Sequence, residues 1–185
     1  MHKQQISFVS GLALVLVLVP ATGLWVHGKP ILPRQRELSD QALTLADLKR
    51  VRIDITPLAE VLKKNRVKIT KLENIMRDEL ARVEVTVGDD RELPRINLTV
   101  LGASDPDVAD AVGLTIVLMV NQRATVHRLE QTFDDVPTAT LLEHAMAQTD
   151  QVAGAVEREL LDAMWLLRTL IRQASARKSQ TRPAS

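Results

Sequence analysis

The chain has 185 residues, with 24 Lys and Arg against 23 Asp and Glu, and it is 45% hydrophobic and 25% charged. That composition excludes a chain disordered throughout, and a net charge of +1 gives no support for nucleic-acid binding through a broad basic surface. The absence of cysteine excludes disulfides, thiolate metal sites, a cysteine nucleophile and an acylated cysteine anchor.

Residues 1–23 begin Met-His-Lys, continue as the apolar run Ile6–Val19 and end Pro20-Ala21-Thr22-Gly23. A basic start, an apolar middle and small residues at −3 and −1 are the three regions of a secretory signal peptide, with cleavage after Gly23. The rival reading keeps the segment as a membrane tether, Ile6–Val26, with Trp25 at the interface. Either reading places the rest of the chain outside the cytosol or at the envelope. Residues 24–49 carry Pro30 and Pro33 and read as a linker, within which Gln41–Lys49 has the leucines of a short helix.

Val51–Thr56 alternates and predicts a half-buried strand ending at Pro57. Leu58–Arg66 is ambiguous. Thr70-Lys71-Leu72-Glu73 has the capping-box spacing, and Leu72, Ile75, Met76 and Leu80 predict an amphipathic helix over Lys71–Ala81. Arg82–Val87 and Arg95–Val100 alternate as strands, separated by the turn signal Gly88-Asp89-Asp90. Gly102–Asp110 reads as a polar loop. Val112–Val126 reads as a long strand, and apolar residues on both its faces suggest a central position. Phe133–Pro137 reads as a turn, and Thr138–Ala147 is open between strand and helix. Thr149–Gln173 keeps helical spacing from Val152 through Ile171. Residues 174–185 read as a disordered basic tail.

The expectation is one α+β domain over residues 50–173 in the order β-α-β-β-β-α. A sheet of about four strands would carry two amphipathic helices on one face.

Chemistry is sparse in this sequence. Of 4 histidines, only His127 and His144 fall in the domain. With Glu143 beside His144 they define the one enzyme alternative, a hydrolase or metal-dependent site, but the spacing lacks the HExxH pattern. No GxSxG, GxGxxG or phosphate-loop pattern occurs. Asp89, Asp90 and Glu92 read as turn residues, and Asp105, Asp107 and Asp110 lack the order of a calcium loop. Asn97-Leu98-Thr99 has the glycosylation pattern inside a predicted strand. No catalytic, cofactor or metal residue is assigned. The candidate interaction face is Trp165, Met164, Arg168 and Arg172 on the last helix.

Over residues 50–172 the element order resembles small exported bacterial envelope proteins whose two helices cover one face of a four-stranded sheet. The LPS-assembly lipoproteins and the auxiliary components of envelope ABC transporters are of this kind. The export segment, the lack of a catalytic constellation and the compact α+β pattern point to a non-enzymatic, exported envelope protein, periplasmic or tethered at the inner membrane, that binds a protein or envelope component. The alternative is a membrane-anchored accessory subunit of an envelope transport or assembly complex. This chain departs from the lipoproteins in having no cysteine to acylate. The expected partner is therefore a protein of the cell envelope, with no nucleic acid and no cofactor.

Overall fold

The computed structural model describes residues 40–104 and 110–181. The export segment and the acidic pair Asp105 and Asp107 lie outside the described residues. Alternation and helical spacing translate into helix α1 (Asp40–Leu43), strand β1 (Arg50–Ile55), helices α2 (Glu60–Lys64) and α3 (Ile69–Ala81), and strands β2 (Thr86–Val87), β3 (Arg95–Ser104), β4 (Ala111–Val126) and β5 (Gln131–Gln148). The order closes with helix α4 (Val152–Thr181). The fold is mixed α+β around one five-stranded sheet in the order β2-β1-β3-β4-β5. It thus has one strand and two short helices beyond the expected set.

Strand β1 runs parallel to both β2 and β3, while β3, β4 and β5 are antiparallel neighbours. The period of two sorts the side chains. Val51, Ile96, Leu98, Val100, Val112, Leu114, Ile116, Leu118 and Val120 point into one core. The opposite positions of β4 are half-buried only. Val117 and Met119 therefore face outward, and the central place of β4 comes from its two neighbours, not from burial on both faces.

The core stripe of α4 is Val152, Val156, Leu160, Met164, Leu167, Ile171 and Ala174, at helical spacing. It continues past Gln173 because Ala174 still packs against the core. The segment read as a tail is thus helical to Thr181. At the other end Ala42, Leu45 and Leu48 are buried, so the chain enters the core within the stretch read as linker.

Three other expectations change. The capping box at Thr70 does not form: α3 starts at Ile69 with no side-chain cap, and the amides of Lys71 and Leu72 bond the Lys68 carbonyl instead. The Glu73 carboxylate accepts from Arg77, one turn on. Of the strand expected over Arg82–Val87 only Thr86–Val87 joins the sheet, because Glu84 adopts φ 59° and breaks the extended run. Finally, Phe133–Pro137 is strand. The turn lies at His127–Leu129, closed by Glu130 at φ 50°.

Gly102 is a strand residue of β3, opposite Leu114, and not part of a loop. It faces α2 so closely that a Cβ there would lie 2.7 Å from Leu62 Cδ2. Its missing side chain is what lets the short helix lie on the sheet.

Candidate functional site

The residues singled out on α4 do not share one face. Met164 is fully buried. Arg168 lies largely buried 2.9 Å from Glu79, and Arg82 approaches the same carboxylate at 3.1 Å. Glu79 is buried on the core face of α3, so this ion cluster fastens α3 to α4. The Arg168 Nε has the distance but not the alignment of a hydrogen bond. Arg172 donates to the Arg82 carbonyl at 3.0 Å. Trp165 is exposed, with Leu161 one turn before it. What remains outward is a narrow Leu161–Trp165–Arg172 stripe. Met164 therefore drops out of the interaction face, because its position on the helix points it to the core.

The histidines do not meet. His144 Nδ1 lies 3.1 Å from Thr115 Oγ1 across the β4–β5 ladder, whereas His127 opens the turn after Val126. At about 3.3 Å per strand residue, the stretch of β4 from Thr115 to Val126 separates them by roughly 35 Å. A site using both imidazoles has no geometry here. Among the described residues, no group of three or more His, Asp and Glu could hold a metal ion. Asp90 accepts from the Glu92 amide in a local turn, and Glu92 pairs with Arg123 at 3.1 Å. Asn97 stands inside β3, paired with Met119.

A polar cleft of about 660 Å³ is lined by Lys64, Asn65, Arg66, Asp110, Gln148, Thr149 and Asp150. Its two cations face two acids, and none of its side chains is buried. It has the character of a solvated crevice between loops.

The feature that sequence reasoning missed is the uncovered face of the sheet. Register places its side chains in rows across β3, β4 and β5: Asn97–Met119–Thr140, Thr99–Val117–Leu142, Leu101–Thr115–His144 and Ala103–Gly113–Met146. None of these positions holds Lys, Arg, Asp or Glu, in a chain that is 25% charged. Leu101, Leu142 and Met146 are 54%, 53% and 66% exposed. With strands about 4.8 Å apart and rows about 6.7 Å apart, this face spans on the order of 400 Å². That is the size of the largest patch on an ordinary monomer, a class of surface that is often functional. The signal was present in the alternation of β3 and β5, but it needed the register to become a surface.

The charge lies on the other side of β5. Glu143 points toward α4, and its carboxyl is held above the usual range first by burial, then by Glu159 and Asp162 nearby, with His144 opposing.

Beyond Asn121 the β4–β5 hairpin leaves the sheet, since pairing with β3 ends at Arg95. Two register shifts mark the exit, between Val120 and Asn121 and between Gln122 and Ala124. A polar latch holds it: Arg95 pairs with Asp54 at 3.3 Å and with Asp135, and Asn121 Nδ2 donates to Asp135 at 3.1 Å. The hairpin carries exposed Val126, Leu129 and Phe133 at its far end.

Comparison with known proteins adds little. No family model matches the chain, and no curated protein matches it. Among solved structures, it is similar to a minor lipoprotein from Acinetobacter baumannii, at 15% identity and a TM-score of 0.39, covering 72% of this chain and 95% of that one. It is also similar to a putative lipoprotein from Caulobacter crescentus, at 12% identity and a TM-score of 0.31, covering 78% of this chain and 98% of that one. Both are lipoproteins by name, and at these values the likeness carries no argument about function.

Proposed function

We propose that this chain is an exported envelope protein that works by binding another protein of the envelope, without catalytic chemistry of its own. The observation that carries the reading is the uncharged patch of four rows across β3, β4 and β5, with Leu101, Leu142 and Met146 exposed in neighbouring rows. Nothing in the described fold covers it, and the core is complete without it. A flat surface of mixed threonine and apolar side chains favours protein contact over capture of a small polar ligand, which needs a concave site with convergent polar groups. Export is supported by the three-part pattern of residues 1–23.

The test is a photo-crosslinking residue at Thr99 or Leu101, on β3 and away from the sheet edge, in the native host, followed by mass spectrometry of the adduct. The reading expects one dominant envelope protein, and loss of that adduct when Val117 is replaced by Arg in a protein whose circular dichroism is unchanged. Adducts spread over abundant proteins and unaffected by Val117→Arg would overturn it. Intact mass supplies a second check: a periplasmic form lacking residues 1–23 agrees with export, whereas a full-length cytosolic form contradicts it.

A further inference from the structure

The long edge of the sheet has no partner within the described chain. β5 pairs with β4 on one side only, and among the described residues no backbone hydrogen bond reaches the other side of Ala139–Gln148. Natural edges are blunted by charge, proline or bulges. In β5 most of these devices sit in the far half, at Asp134, Asp135, Pro137 and the register shifts opposite Val120–Ala124, and the near half holds one charge, Glu143, on the inner face. From Ala139 to Gln148 the strand is regular, in unbroken register with Ala111–Val120. That segment has no proline, glycine, lysine or arginine.

We propose that a second copy of this chain occupies this edge. The two β5 strands run antiparallel about a twofold axis through His144, and one sheet continues through both copies. Edge pairing leaves the open faces of the two copies side by side and does not depend on those faces having a partner of their own.

Strand length selects a second β5 as the mate. The opposite edge of the sheet is β2, only 2 residues long. It cannot match the regular half of β5, which removes the head-to-tail pairing that would build a filament. A β5–β5 contact has equal lengths by construction and closes as a dimer.

Charge selects the register. Facing residues of an antiparallel pair share a sheet face, so a twofold axis normal to the sheet passes through a residue position. Two such positions use nearly the whole regular segment, Glu143 and His144. The first sets Glu143 against its own copy, on the side where burial, Glu159 and Asp162 already disfavour its negative charge. The second sets Glu143 against Ala145 and Leu141 against Ala147. On the open face it sets Leu142 against Met146 twice, and Thr140 against Gln148. Each exposed apolar side chain then meets another, and no two carboxylates face one another.

The absence of cysteine makes the register directly testable with the full-length chain. In the variant His144→Cys the two thiols face each other with Cα atoms about 5 Å apart, within disulfide reach. In Leu142→Cys each thiol faces Met146 of the other copy, and the two thiols lie about 14 Å apart, out of reach. Under mild oxidation His144→Cys is expected to give covalent dimer at least tenfold faster than Leu142→Cys. Wild type is expected to sediment as a dimer at tens of micromolar, and Met146→Lys as a monomer with an unchanged circular dichroism spectrum. A wild-type monomer at those concentrations, equal crosslinking of the two cysteine variants, or a folded Met146→Lys dimer would each overturn the proposal.

Discussion

Replacing Gly102 by alanine tests whether the packing of α2 on the sheet is set by one missing side chain. The added Cβ would lie 2.7 Å from Leu62 Cδ2, and 3.1 Å from both Leu62 Cγ and Val61 Cγ1. Ordinary carbon contacts lie at about 3.5–4.0 Å, so the helix or the leucine must retreat by roughly 0.8 Å. Leu62 is fully buried, so its side chain shifts only by displacing its neighbours in a close-packed core. Overpacking of this kind costs about 1–3 kcal/mol, and alanine returns at most ~1 kcal/mol through lower unfolded-state entropy and better strand propensity. The expected net loss is about 1–2 kcal/mol, a fall in Tm of roughly 2–8 °C for a chain of this size. Leu62→Ala alone opens a cavity and costs about 2–5 kcal/mol. In the double variant the methyl added at position 102 occupies space that Leu62 has left, so the double variant should be about as stable as Leu62→Ala alone. Urea and thermal unfolding of the four proteins in this cycle measure the coupling. Losses that add to within about 0.3 kcal/mol, the behaviour of independent sites, would refute the claim that this contact fixes α2.

Three further outcomes follow from the structure. Glu79→Met leaves Arg168 largely buried without its partner and should cost about 3–5 kcal/mol, whereas Glu79→Met with Arg168→Met should recover most of that loss in chemical denaturation. Glu143→Gln should raise stability at neutral pH by a few tenths of a kcal/mol, the scale of a half-exposed like-charge contact. The sign comes from the raised carboxyl: its contribution to folding is whole below the unfolded-state value and is lost as pH rises through the folded-state value. The gap between variant and wild type should therefore close in unfolding curves taken at progressively lower pH, and a gap that widens on acidification would count against the assignment. Glu84, at φ 59°, should accept glycine with no loss of stability, while Glu84→Val should cost about 1–2 kcal/mol because a β-branched side chain is strained there.

What was legible in the sequence follows from which forces act locally. The alternation in Val51–Ile55 and Arg95–Val100 and the stripe of α4 appear in the structure because burial of one face needs only a period, and a period is a local property. Arg82–Val87 shows the limit of that reasoning. Its alternation is real, and Val85 is buried, yet Arg82 is drawn to Glu79 and offers its carbonyl to Arg172. The chain is thereby held at the end of α3 and turns at Glu84 before it can join the sheet. Pro137 misled in the opposite direction. A proline argues against a central strand, but β5 is an edge, and Pro137 lies beside a bulge opposite Asn121, where a missing N–H is tolerated. The hairpin turn itself left no signal, because Glu130 takes the left-handed position where a glycine would have announced it. Glu79 did leave one. It falls on the apolar side of α3 with Leu72, Met76 and Leu80, and a charge at a core position asks for a buried partner. Only the packing of α3 on α4 shows that the partner is Arg168.

The open face was invisible for a different reason. Leu101, Leu142 and Met146 come from separate stretches of sequence, and each alone is an ordinary exposed side chain. Register turns them into one surface. Their exposure has a simple energetic reading: side chains left about half in water or more contribute only part of the roughly 1.5–3 kcal/mol that full burial would give. A lysine at Met146 would protect the bare edge of β5. The strands thus carry apolar residues where the folded monomer gains only part of their burial energy and is exposed to association because of them. On the proposed reading, the use of these side chains lies in a contact outside the monomer. The inner side of the same strand, with Glu143 beside Glu159 and Asp162, opposes that contact in any register that brings two such strands together at Glu143. Of the two alignments that use nearly the whole regular segment of β5, the one centred on Glu143 is therefore disfavoured and the one centred on His144 is left, which is the behaviour of a specific interface as distinct from a sticky edge.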